Sequence, residues 1–317
     1  MRTLNSPEVF RNMGFWDNET QQALLDAEVA IAGCGGTGNL LGMELARIGI
    51  QKFRIADPEV FDAVNSNRVV GARIDTIGKN KATVLRDDIL SINPDASVTT
   101  YVDGITPANI GEFLSTADIA VNGTELTKPE LGVMLARHAR GRCIGGEPAP
   151  LAVVDIEYIA HAGQGTVFSP SGGLTYERFM GISGGEQAPL DEVAQQSIDP
   201  SRYLAYLPPY GDLRTLRATQ DGAPLPSNMI GAGVAAQIGL SEVLKLVRLG
   251  RGLRGLRPTY APAVRWCDAY TGACGVTRHA RLSHYMHLGL VVLRQVLKSN
   301  EPAAYSVEER AARGDIE

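Results

Sequence analysis

From residue 28 to residue 121 the apolar residues gather in short runs, separated by longer stretches in which they recur every three or four positions. The runs at 29–32, 52–56, 97–102 and 118–121 read as strands. The stretches at 39–48, 76–92, 109–115 and 129–140 read as helices. Such alternation predicts parallel strands joined by crossover helices, a Rossmann-like α/β fold with helices on both faces of a mostly parallel sheet. Ligands of such sheets lie at the carboxyl ends of the strands.

The flanks read differently. Residues 1–26 predict a helical arm, with Asp17 as a cap before acidic and then apolar positions. Further strands are expected at 151–159, 166–168, 264–268 and 275–277, extending the sheet. The segment 169–226, rich in Gly, Pro, Gln and Asp, predicts a long crossover loop. Residues 227–247 form an apolar helix carrying Gly231, Gly233 and Gly239. Glycine weakens a helix interior by about 1 kcal/mol relative to alanine, so this number of them predicts close packing against a neighbour. A helix at 281–298 and a loose tail at 299–317 complete the reading.

Composition narrows the function. The chain has 317 residues, 44% hydrophobic and 21% charged, enough for a sizeable core. Its net charge of -5 argues against bulk attraction to nucleic acid or an anionic membrane. No uninterrupted apolar run approaches the roughly 20 residues of a membrane span, and the amino terminus has no signal-like stretch, so a cytoplasmic enzyme is expected. Four cysteines do not make a disulfide framework.

Gly33-Cys-Gly-Gly-Thr-Gly38 follows the first strand. Glycines Gly33, Gly35, Gly36 and Gly38 let the backbone approach phosphates, and the next helix offers unpaired N–H groups. Asp57 ends the second strand, where its carboxylate can accept from both ribose hydroxyls. Alone, these features suit an NAD(P)-dependent oxidoreductase equally well. Asn65, Arg68, Lys79 and Lys81 add a carboxamide and cations, which suit a triphosphate and have no standard role in hydride transfer.

These motifs, together with Ser91-Ile-Asn-Pro94 and the helix ending in Glu242-x-x-Lys245, resemble the adenylyltransferases of the ThiF/MoeB type, relatives of the ubiquitin-activating enzymes. The resemblance covers about residues 20–280. It implies an ATP-binding half at 27–150 and a substrate and dimerisation half at 151–298. It implies that Asp57 holds the ribose and that Asn65, Arg68 and Lys81 contact the phosphates. Glu125 falls where the family has a magnesium-binding aspartate, although an acid before Pro129 also suits a helix start. Arg11 is the candidate for an arginine reaching across a homodimer. The implied reaction activates a carboxylate, of a peptide, a small carrier protein or a small acid, as an acyl-adenylate with release of pyrophosphate.

The chain departs from that pattern. Val69 follows Arg68 where the family commonly has Gln. No cysteine lies between Cys143 and Cys267, so the crossover loop has no thiol for a covalent sulfur intermediate. The paired zinc cysteines are absent; Cys267, Cys274, His279, His284 and His287 lack a standard zinc spacing, and structural zinc is not expected. Cys34 is explained by a small side chain in the turn, and Cys143 reads as a buried strand residue. The tyrosines and Arg202, Arg214 and Arg217 of the loop either recognise the substrate carboxylate or simply pack on the sheet. A non-catalytic peptide-binding scaffold is the other alternative.

Overall fold

The computed structural model describes residues 1–199, 203–210 and 226–279, together with Gly289. Apart from Gly289, the expected helix at 281–298, the tail, His284, His287 and the three loop arginines lie outside those residues.

The strands are β1 (Glu28–Ala32), β2 (Lys52–Ala56), β3 (Ser97–Tyr101), β4 (Ile119–Asn122), β5 (Cys143–Ile144), β6 (Glu147–Pro148), β7 (Ala152–Ile159), β8 (Ala162–Phe168), β9 (Ala263–Asp268) and β10 (Ala273–Arg278). The helices are α1 (Asn18–Asp26), α2 (Gly36–Ile48), α3 (Lys81–Ile92), α4 (Ile110–Leu114), α5 (Pro129–Gly141), α6 (Tyr176–Met180), α7 (Leu190–Val193) and α8 (Met229–Gly250). One eight-stranded sheet runs β10-β9-β8-β7-β4-β1-β2-β3. Pairing is parallel from β3 to β7 and antiparallel from β7 to β10. The strand order reverses beside β1, whose neighbours are β2 and β4. A crevice therefore opens there, at the strands' carboxyl ends.

Each face of the sheet carries a core. One packs α4, α5, α6 and residues 203–207, with Phe113, Leu135 and Val193 fully buried. The other packs α1, α2, α3 and α8, with Leu24, Leu41, Leu45 and Leu85 fully buried. Each such side chain stabilises the fold by roughly 2 kcal/mol on burial.

Helix α8 has the length and composition of a membrane-crossing helix, but 56% of its most apolar window is buried inside the molecule. Its glycines explain how closely it lies on β8. A Cβ at Gly231 would sit 2.4 Å from the Ala160 carbonyl oxygen, and one at Gly163 would sit 2.3 Å from the Ala235 nitrogen. The far end of α8 is pinned by Glu242. Its buried carboxylate accepts from Lys245 at 2.6 Å and from the Thr259 N–H and hydroxyl, both at 2.8 Å.

Several local expectations are corrected. Helix α3 begins at Lys81 rather than 76, because Gly78 adopts φ +83° and Asn80 caps the Thr83 N–H. Helix α2 begins at Gly36 rather than 39, inside the glycine motif. Cys143 is exposed, in the short β5–β6 hairpin, rather than buried. Cys267 and Cys274, opposite each other on β9 and β10, are joined in a disulfide. The crossover segment is not featureless either, since it contains α6, α7 and a 3-10 turn at Gly185–Gln187.

Candidate active site

The crevice holds two adjoining pockets. The first is lined by Gly33, Gly35, Asp57, Glu59, Lys81, Gly104, Glu125 and Lys128. The second, enclosing about 910 Å³ of partly open space, is lined by Gly35, Gly36, Thr37, Asn65, Arg68, Lys81, Glu125, Glu157, Tyr158 and Ser227. Gly35, Lys81 and Glu125 line both, so they mark the passage between them.

The glycine turn forms the floor. Gly33 has φ +91°, and a Cβ there would lie 2.3 Å from the Gly123 carbonyl oxygen. A Cβ at Gly38 would lie 1.9 Å from the Gly33 carbonyl oxygen. No side chain caps the start of α2 at Gly35. Its first N–H groups and the positive end of its dipole therefore serve the pocket.

Asp57 is buried at the end of β2. It accepts from the Cys34 N–H at 2.7 Å and the Glu59 N–H at 2.8 Å. Burial raises its carboxyl from the ordinary value, against those two donors and Lys81. The aspartate is thus locked to the glycine turn, on the wall of the first pocket. Cys34 is buried behind the same turn, and burial pushes its thiol well up, with the Asp57 charge adding to the shift.

The cations arrive from three elements. Lys81 opens α3, is buried, and donates to Glu59 at 2.6 Å. Lys128 precedes α5 and donates to the same carboxylate at 3.0 Å. Those lysines, Lys81 first, hold the Glu59 carboxyl below its usual value. Arg68 is half-buried, donates to the Val64 carbonyl at 2.8 Å, and interacts with Tyr158. Asn65 is buried in the turn Ala63–Asn65, where its Oδ1 accepts from the Asp62 N–H. Asn39 of α2 steadies the following loop by accepting from the Gly71 N–H at 2.9 Å. Asn67 ties the Arg68 segment to the start of α8, through the Ser227 carbonyl and the Met229 N–H.

Most residues singled out in the sequence meet here. Gly33, Gly35 and Asp57 line the first pocket, and Gly36, Asn65 and Arg68 line the second. Lys79 does not belong: its side chain is exposed and lines neither pocket, and its carbonyl instead accepts from the Phe61 N–H. Arg11 is exposed on the turn Pro7–Asn12 and lines neither pocket. Glu125 is exposed, with Oε2 accepting from Thr127 at 3.1 Å. Among the described residues no group of three or more His, Cys, Asp and Glu side chains could together hold a metal. Residues 203–210 of the tyrosine-rich loop pack on the sheet: Gln164 bonds the Tyr203 carbonyl and the Ala205 N–H, and Tyr206 and Tyr210 donate to Asp268.

Sequence reasoning missed Glu59, Lys128, Glu157, Tyr158 and Ser227. A signal existed for one of them. Asp155 and Glu157 interrupt an otherwise apolar strand at i and i+2, which places them on one face. Asn122 of β4 donates to Asp155 at 2.6 Å. Burial pushes the Asp155 carboxyl up to about 7. A raised folded value means a contribution fully present below pH 4 and lost as pH rises through 7. Stability by urea titration should therefore fall as pH rises from 4 to 8, and Asp155→Asn should flatten that slope.

Residues 9–262 match the ThiF family. The chain is 24% identical over 227 residues to the tRNA threonylcarbamoyladenosine dehydratase of Escherichia coli (strain K12), covering 68% of this chain and 82% of that one. It is 31% identical over 105 residues to the probable adenylyltransferase/sulfurtransferase MoeZ of Mycobacterium tuberculosis (strain ATCC 25618 / H37Rv), covering 33% of this chain and 27% of that one. The fold is shared with E. coli MccB, solved with ATP (TM-score 0.60, 18% identity, 87% of this chain and 73% of that one). It is also shared with PaaA (TM-score 0.59, 16% identity, 82% and 75%). The chain belongs to the ThiF family.

Proposed function

We propose that this chain is an ATP-dependent adenylyltransferase that activates a carboxylate as an acyl-adenylate. The observation that carries the reading is the meeting of an uncapped helix start, a ribose-type aspartate and the cations Arg68 and Lys81 in one crevice. An oxidoreductase would leave Arg68, Asn65 and Lys81 without a task. ATP bound to MccB and the adenylyltransferase name of MoeZ support the same reading.

In this reaction a substrate carboxylate oxygen attacks the α-phosphorus in line. The α–β phosphoanhydride bond breaks, and pyrophosphate leaves with its electron pair. Asp57 orients the ribose. The α2 N–H groups, Asn65, Arg68 and Lys81 hold the phosphates and offset charge as the leaving group departs. Lys81 shifts from Glu59 toward the phosphates, while Lys128 keeps Glu59 neutralised. Glu125 suits magnesium, because it offers hard oxygens at the boundary of the two pockets and this ion needs only one or two carboxylates besides phosphates and water. Bound there, magnesium would neutralise charge on the triphosphate. No protein nucleophile is required for this step. The acyl-adenylate then passes to an amine, a thiol or an internal nucleophile in a biosynthetic or peptide-tailoring pathway of the cytoplasm. The acid is a peptide, a small carrier protein or a small molecule; MccB has been solved with MccA. A homodimer, with Arg11 of each subunit facing its partner's crevice, completes the proposal.

The test is ATP–pyrophosphate exchange over a panel of acids and peptides. Exchange that depends on both acid and magnesium, and ends on chelation, is expected. Nicotinamide dinucleotide binding with no ATP binding would reject the reading.

A further inference from the structure

One carboxyl in the crevice has no task in the chemistry above. Glu157 of β7 lines the phosphate-side pocket beside Glu125. Its Oε1 is buried and has no hydrogen-bond partner. Behind it lies a narrow cleft lined by Leu126, Tyr203, Tyr206, Trp266 and Gln164, with Glu157 at the junction. Among the described residues no Lys, Arg or His lines that cleft. Gln164 bonds the Tyr203 carbonyl and the Ala205 N–H rather than the acid. The free space is about 10 Å³, room for one water-sized group.

A buried carboxyl without a counter-ion is costly, and a bound cation removes that cost. The aromatic wall favours a cation too, since Tyr206 and Trp266 stack at 4.2 Å and Tyr203 stands beside them. Magnesium fits less well. The cleft behind Glu157 holds one water-sized group and, among the described residues, offers no second carboxylate, whereas Glu125 lines both larger pockets. Burial, with the charges of Asp155 and Glu125, pushes the Glu157 carboxyl well up, so ionising it is costly and a bound cation offsets that cost.

We propose that Glu157 and the aromatic cleft behind it form a primary-ammonium subsite, so that the activated substrate is an acid bearing a free amine, such as an amino acid or a peptide. The subsite rests on the adenylation reading for its role, but not for its binding. The ammonium donates to the Oε atoms of Glu157, and its size matches the cleft. Acids lacking the amine leave the carboxyl uncompensated and bind more weakly.

The experiment uses the full chain labelled with ¹³C at glutamate carboxyls. The Glu157 resonance is assigned by its loss in Glu157→Gln, an isosteric variant whose folding is checked by its melting temperature. Methylammonium chloride should shift that resonance saturably, and sodium chloride at equal ionic strength should not. No difference between the two salts overturns the subsite. A saturable shift with magnesium chloride alone, and none with methylammonium, also overturns it by making Glu157 a metal ligand. In parallel, pyrophosphate exchange is measured with β-alanine, γ-aminobutyrate, L-lysine and short peptides beside their N-acetyl forms. Any active acid should lose at least tenfold in kcat/KM on N-acetylation, and the difference should vanish in Glu157→Gln. An N-acetyl form that exchanges as fast as its free amine overturns the subsite. A methylammonium shift without exchange upholds the subsite and rejects adenylation, so the two readings fail separately.

Discussion

Arg68→Ala should lower pyrophosphate exchange by about 100- to 1,000-fold, the usual cost of removing one charge-stabilising donor from a developing anion. Folding should survive. The guanidinium bonds the Val64 carbonyl and the Asn67 side chain at exposed positions, and it also interacts with Tyr158. Lys81→Ala should lose a similar factor for a related reason. Its removal frees Glu59, but Lys128 still neutralises that carboxylate at 3.0 Å. Glu59 is itself partly exposed, so the stability loss should stay below about 1 kcal/mol. The check is kcat/KM for exchange beside the melting temperature of each variant. An unchanged exchange rate in either would remove that residue from the phosphate site. A loss of activity that simply follows unfolding would be equally damaging.

Gly33→Ala should be strongly destabilising, by about 3 kcal/mol or more. Two penalties combine. The backbone sits at φ +91°, and the added methyl would face the Gly123 carbonyl oxygen at 2.3 Å and the Thr124 nitrogen at 2.8 Å. Neither obstacle is a side chain that can swing away. Relief requires breaking the Gly33 N–H bond to Ala56 or the Gly123 N–H bond to Ala32, both 2.8 Å. Those bonds hold the strand ends at the ligand crevice, so ATP binding should fail as well. Gly35→Ala is the matched control. A Cβ there meets nothing within 4 Å, and φ is -76°. Its urea midpoint should move little, by less than about 1 kcal/mol of stability. Similar midpoints for the two variants would show that the turn yields, and that the close approach of Gly33 to Gly123 is not what shapes the floor.

The two β-α junctions of the crevice were legible early because they are local. An apolar run followed by glycines, or by an aspartate and proline, specifies a strand and its turn within a few residues. Arg68 and Lys81 were legible through the spacing of the family motif. The acids and hydroxyl that complete the crevice were not. Glu59 was read past as part of a motif, yet it binds both Lys81 and Lys128, which lie 22 and 69 residues away. Lys79 was read as part of the cation cluster, but the turn before α3 directs it to solvent. Cys267 and Cys274 were read without a partner, because a seven-residue separation does not reveal that β9 and β10 place them opposite each other.

By itself, then, the order of residues determined which segments become strands and helices and which turns can approach phosphate, since periodicity and backbone freedom act over a few residues. Only the tertiary structure decided which charges neutralise one another and which acid is left alone. Parallel pairing of β1, β4 and β7 brings Glu125 and Glu157 to the same pocket, and α8 delivers Ser227 there from more than 60 residues further along the chain. Burial and electrostatic partnership depend on distance through space, and distance along the chain does not fix it.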